Sequence, residues 1–275
     1  LHSFPTRRSS DLAILNDLVM VDCHDVLVFG SSRAYHHYDS PFLSDSLGLD
    51  VYNAGYDGNG VILAYGFLSM ILDRCQPKLL LYDVEPAFDI NVLLQDNNHK
   101  RYLSKLKPYY SNNTIKEIFK DVSYEEYLKV HSGLIRYNSS LISLAHSNIV
   151  ARPMVNKGFA PLNGQLDLNI DDSEEEAFVE DPFKLKYIEL FIDLAKKHDV
   201  KLALIASPRY EKKSSEEFMR VKSICLDHDV PFVDHYTDTI ITKHSELFSD
   251  RDHLNSKGAR IYSKLIIDDI NNLLK

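Results

Sequence analysis

Basic residues are in short supply: 31 Lys and Arg stand against 40 Asp and Glu, a formal charge of −9, and the cations form no cluster. A duplex-binding surface needs grouped Lys and Arg to neutralise phosphates, so nucleic acid is not an expected partner. Cysteine is scarce too. Cys23, Cys75 and Cys225 lie far apart without metal-ligand spacing. Their odd number gives no complete disulfide framework, and they read as buried free thiols. Neither Gly-x-x-x-x-Gly-Lys nor Gly-x-Gly-x-x-Gly occurs, which leaves Gly58-Asn59-Gly60 at a helix start as a weak phosphate-binding signal. His36-His37 and His253 have no helical His-Glu-x-x-His companion, so neither a metal nor a cofactor is implied.

What is present is ordinary for a globular protein: 44% apolar and 26% charged residues over 275 positions, enough for one large α/β domain or a domain with an insertion. Residues 2 to 12, HSFPTRRSSDL, resemble the translation of a sequencing-library adapter and are set aside from fold reasoning as a non-native segment. On that reading residues 13–275 are the domain, and any targeting or membrane-tethering segment would have preceded Ala13.

Strands and helices then alternate. Val26 to Phe29 is a short apolar run rich in β-branched and aromatic residues, a buried strand. Pro41 to Leu49 reads as a helix, Asp50 to Asn53 as a second strand, and about Val61 to Arg74 as a helix with Ile62, Tyr65, Leu68, Ile71 and Leu72 at helical spacing. Lys78 to Tyr82 is a third strand, central and buried on both faces. From about 89 to 181 the rhythm breaks into a largely helical insertion. It resumes with a helix from Pro182 to about His198, a strand from Lys201 to Ala206, a helix from Glu216 to His228, a strand from Pro231 to Asp234 and a last helix capped by Asn255 or Ser256. The order predicts an α/β fold: a flavodoxin-like three-layer sandwich around a parallel sheet of about five strands.

The chemistry concentrates at two places. Gly30-Ser31-Ser32 follows the first strand, and ligands in open α/β sheets gather outside the carboxyl ends of strands. Ser32 is the candidate nucleophile, which requires a base and a group to hold that base. Asp250-Arg251-Asp252-His253 supplies both, since an acid three residues before a histidine folds back onto the ring more readily than its immediate neighbour Asp252 does.

Together with Asn53-Ala54-Gly55-Tyr56-Asp57-Gly58 after the second strand, these blocks make the chain resemble the SGNH or GDSL hydrolase family. The resemblance implies Ser32 as nucleophile, His253 as general base and acid, and Asp250 as the group orienting the imidazole. It assigns the oxyanion hole to the backbone of Ser32 and Gly58. Two departures stand out. Where the family usually carries an asparagine donor, this chain reads Asp83-Val84-Glu85-Pro86; Asn59 and Arg33 are the candidate replacements, and Arg33 is also a candidate substrate-binding residue. Ser31 stands where many members carry aspartate, a serine-serine variant similar to envelope proteins that move or remove acyl groups on glycans. The expectation is therefore a serine esterase acting on an acylated carbohydrate or other small ester on the periplasmic side of a bacterial envelope. An envelope-glycan O-acyltransferase and a catalytically silent glycan-binding protein are the alternatives.

Overall fold

The computed structural model describes residues 18–19, 22–92, 99–131, 155–168 and 178–275. Five parallel strands, β1 (Val26–Gly30), β2 (Val51–Asn53), β3 (Leu79–Asp83), β4 (Lys201–Ala206) and β5 (Phe232–Asp234), form one sheet in the order β2-β1-β3-β4-β5. All five strands stand where the apolar runs placed them. Side chains alternate between the faces, as strand geometry requires. Val26 and Val28, Leu79 and Leu81, and Ala203 and Ile205 enter one core; Leu27 and Phe29, Leu80 and Tyr82, and Leu202 and Leu204 enter the other. Burial on both sides explains why these strands read as continuous apolar runs.

Helices fill both outer layers. On the first face lie α1 (Ser32–His37), α2 (Ser40–Leu47), α11 (Ser256–Leu265) and α12 (Ile267–Leu274). On the second lie α3 (Val61–Leu72), α8 (Pro182–Lys197) and α9 (Met219–Asp227). Between β3 and β4 the chain adds the short α4 (Pro86–Asp89), then α5 (Lys100–Leu106), α6 (Asn113–Val122) and α7 (Tyr124–His131); α10 (Thr239–Thr242) follows β5. Tyr109 and Tyr110 are buried, with Tyr110 edge-on to Phe119 at 5.2 Å. The helical pattern read beyond His131, up to Ile149, and the acidic run from Asp171 lie outside the described residues, as does the adapter-like segment.

The cysteines correct the sequence reading. Cys23 and Cys75 form a disulfide with Cα atoms 5.7 Å apart, and only Cys225 is a buried free thiol. Cys23 leads into β1 and Cys75 lies on the approach to β3. Adjacency of those two parallel strands brings their lead-ins together, which a separation of 52 residues conceals.

In this strand order the connections leave β1 and β3 toward opposite faces, so their carboxyl ends flank a topological switch point, the usual place for a ligand crevice. Gly30-Ser31-Ser32 ends β1 and Asp83-Val84-Glu85 ends β3.

Candidate active site

Ser32 opens α1 directly after a backbone that only glycine tolerates. Gly30 has φ of +144°, and a Cβ there would lie 2.6 Å from the Asp83 carbonyl oxygen on the neighbouring strand. The chain thus turns sharply out of the sheet, and the hydroxyl of Ser32 is presented at its edge. As the first helical residue Ser32 has an N–H with no acceptor inside its own helix.

The base arrives from the far end of the chain. Asn255 caps α11, its side-chain oxygen accepting from the N–H groups of Lys257 and Gly258, while its amide donates to the carbonyls of Glu246 and Phe248. These bonds tie the start of α11 to the start of the loop 248–254, which Ser249 N–H closes onto the His253 carbonyl. His253 Nε2 lies 2.8 Å from Ser32 Oγ, and its Nδ1 lies 2.9 Å from both carboxylate oxygens of Asp250. Asp250 also accepts from the backbone N–H groups of Asp252 and His253 at 2.8 Å. Burial pushes the Asp250 carboxyl up, but the His253 hydrogen bond and these N–H donors outweigh it and hold the group below its ordinary value. An ionised Asp250 only accepts. It therefore fixes the proton of a neutral imidazole on Nδ1 and leaves Nε2 bare toward the Ser32 hydroxyl. Asp252 turns away to pair with Arg209.

His36 and His37 support the loop from beneath. His37 Nε2 accepts from the Leu254 N–H at 3.0 Å, so its Nδ1 carries the proton and donates to Ser207 Oγ at 2.9 Å. Burial, and after it the nearby Arg33 guanidinium, hold His37 well below its ordinary value, a neutral ring. His36 faces acceptors at both nitrogens, the Ala160 carbonyl at 2.6 Å and Asp57 at 3.1 Å. Burial disfavours its charge, yet these acceptors raise it above the ordinary value. The His36 ring stands edge-on to His253 at 5.5 Å.

Gly58 sits in the turn after β2 with φ of +66°, and Arg101 donates to its carbonyl oxygen. Among the described residues its own N–H donates to no protein acceptor. Asn59 is otherwise engaged: its amide donates to the Asp57 carbonyl and its N–H to the Tyr56 carbonyl, so its polar groups close the turn. Arg33 also departs from expectation. It is 1% exposed, donates to the hydroxyl and carbonyl of Ser207, and lies 5.1 Å above the Tyr236 ring. Enclosed by these groups, the guanidinium lies inside the protein, where it feels the charges of Asp83 and Glu85.

No family model and no curated protein sequence matches the chain. Among solved structures it is similar to a Bacteroides fragilis protein provisionally described as an acylhydrolase, at 14% identity and a TM-score of 0.47, covering 99% of this chain and 100% of that one. It is also similar to an acetyl xylan esterase, at 10% identity and TM-score 0.44 over 89% and 99% of the two chains. A GDSL-like lipase from Bacteroides thetaiotaomicron gives 10% and 0.42 over 98% and 92%. At these values none of the three carries the functional reading, which rests on the atoms around Ser32.

Several participants were not singled out from the sequence. Glu85 accepts a hydrogen bond from Ser31, the residue before Ser32, and is 8% exposed. Its signal was a second acid, two residues beyond the Asp83 that ends the apolar central strand. His36 and His37 lie on the helix that Ser32 opens and were weighed only as metal ligands, while Ser207 and Arg209 join from a segment distant in sequence, where local pattern gives no hint. Among the described residues no set of His, Cys, Asp and Glu could hold a metal ion, and no helix is long and apolar enough to cross a membrane.

Proposed function

We propose that the chain is a serine esterase that works through an acyl-enzyme at Ser32 on an acylated carbohydrate or another small ester. The observation that carries this reading is the continuous hydrogen-bonded path from Ser32 Oγ through His253 to Asp250. Ser32 Oγ attacks the ester carbonyl carbon; its proton passes to His253 Nε2 and the carbonyl electron pair moves to oxygen. The new oxyanion faces the N–H groups of Ser32 and Gly58. When the intermediate collapses, the ester C–O bond breaks and His253 returns the proton to the leaving alcohol. Water, activated by the same His253, then attacks the acyl-enzyme and frees the acid and Ser32. Asp250 stabilises the imidazolium in both halves without taking its proton.

A periplasmic or other oxidising location belongs to this proposal, and the Cys23–Cys75 disulfide supports it, because such bonds persist where thiols are not kept reduced. Labelling with a fluorophosphonate serine probe tests the chemistry. The expected result is a covalent adduct on the wild type that is lost in both Ser32→Ala and His253→Ala. Absence of an adduct on folded wild type, across several probe sizes, overturns the reading.

A further inference from the structure

We propose that His36 is a positioning residue of the site: as an imidazolium it holds the turn 56–59 and the segment 157–160 against the helix that carries Ser32. The inference rests on the serine-esterase reading of Ser32.

His36 stands one turn after Ser32 on α1, and residues four apart lie on the same face of a helix. From there its ring reaches three other parts of the site. Nδ1 lies 2.6 Å from the Ala160 carbonyl oxygen, Nε2 lies 3.1 Å from an Asp57 carboxylate oxygen, and the ring stands edge-on to His253 at 5.5 Å. Backbone contacts bring both gripped segments to the nucleophile turn. The Tyr56 N–H donates to the Gly30 carbonyl and the Ala160 N–H to the Tyr35 carbonyl, each at 3.1 Å. A Cβ on Gly55 would lie 2.5 Å from the Tyr35 nitrogen, so the chain entering the turn passes directly over α1. Asp57 is thus the side-chain anchor of a turn that lies beside Ser32 and whose next residue is Gly58.

Both partners of the ring only accept. A carbonyl oxygen and an ionised carboxylate have no proton to give, so both contacts are hydrogen bonds only when both ring nitrogens are protonated. A neutral imidazole has one proton to share between them. With that proton kept on the shorter contact, to Ala160, a bare Nε2 faces the Asp57 carboxylate and the anchor is lost.

The groups around the ring fit a charged state. Burial opposes the charge, but Asp57 on the turn, the Ala160 carbonyl and Asp250 on the loop 248–254 outweigh it and raise His36 above its ordinary value. Its neighbour His37 on α1 is neutral, and Lys157 on the segment 157–160 is committed to Asp50 and Ser44. His253 is the remaining titratable neighbour, and the charge His36 shows it is balanced by Asp57. Because the value is raised, the charged form is complete below the ordinary histidine range and is lost as pH rises through the raised midpoint.

The experiment measures fluorophosphonate labelling rates from mildly acidic to mildly alkaline pH for wild type, Asp57→Asn and His36→Gln. Histidine NMR follows the charge on His36 through the resonance that His36→Gln lacks. On the acid side all three slow together as the base takes a proton. The wild-type rate then falls by up to about 10² as pH rises through the His36 midpoint, which lies above 6.5. Asp57→Asn gives the ring an amide that accepts from an imidazolium or donates to a bare Nε2. Below the midpoint its rate stays within about fivefold of wild type. Above the midpoint it shows no fall and outpaces wild type, which a merely structural role for His36 would not produce. His36→Gln must turn its carbonyl oxygen toward one of two acceptors, so it labels more slowly than wild type at acid pH, by up to about 10², and has no alkaline fall. A wild type that labels without an alkaline fall, a fall whose midpoint departs from that of the His36 resonance, or a fall that persists in Asp57→Asn removes the inference and leaves the esterase reading intact. A wild type that never labels removes both.

Discussion

Asp250 and Asp252 flank the same histidine and are separated by what each one touches. Asp250 spends its carboxylate on the His253 ring and on two backbone N–H groups, whereas Asp252 is committed to Arg209. Replacing Asp250 by Asn keeps the shape but offers Nδ1 an amide whose N–H end can present the wrong partner. The imidazole then turns its proton toward Ser32, and in a site that depends on the tautomer the expected fall in turnover reaches ~10⁴. Asp252→Asn, which leaves Nδ1 and its acceptor untouched, is expected to slow labelling of Ser32 by less than about tenfold, a loss attributable to a looser Arg209 contact. Labelling rates of the two variants at one pH check the assignment. Equal losses in both would mean that the carboxylate holding the ring was misidentified.

Asn255 joins the helix that ends the fold to the loop that carries the base. Its side-chain oxygen caps α11 and its amide holds two carbonyls of the segment 246–248. Asn255→Ala is expected to cost ~1 kcal/mol for the cap and to leave both carbonyls without that donor, lowering the denaturation midpoint and the Ser32 labelling rate together. Asn255→Asp separates these effects, since it keeps the cap acceptor but cannot donate to Glu246 and Phe248. A midpoint nearer wild type with a labelling rate as low as that of the alanine variant is the expected outcome, and a labelling rate that follows the midpoint instead would mean that the loop is not held through Asn255. This cap, like the strands and the main helices, was legible in the sequence, because period-two and period-3.6 apolar patterns and capping residues are local signals. So was the Ser32–His253–Asp250 pairing, whose two blocks are each compact. Arg33 and Asn59 went astray because residue type says nothing about direction: Arg33 is buried against Ser207 and Tyr236, and Asn59 closes its own turn. Glu85 and Ser31 meet only through the register of β1 against β3, in which Gly30 stands opposite Asp83.

The same β1–β3 adjacency is tied at its opposite end. Cys23 precedes β1, and Cys75 leads toward β3, so the disulfide joins the amino-terminal approaches of two strands whose carboxyl ends flank the site. Five strand residues at about 3.3 Å each put roughly 16 Å of rigid sheet between the cross-link and Ser32. The bond closes a loop with its ends 52 residues apart, and restricting a chain of that length in the unfolded state stabilises the folded one by ~2–4 kcal/mol. The site itself draws on other supports: the Asn255 cap, the His37 contact to Leu254 and the Gly30 turn. The double variant Cys23→Ser, Cys75→Ser is therefore expected to unfold at a lower denaturant concentration by that amount, while the labelling rate of Ser32 at low temperature stays within a factor of about two of wild type. Urea unfolding and probe labelling on the same preparation check both halves. A labelling rate that collapses while the protein remains folded would show that strain at the amino-terminal end of β1 is transmitted along the strand to the nucleophile turn. The sheet would then be a more compliant support than its two-sided burial implies.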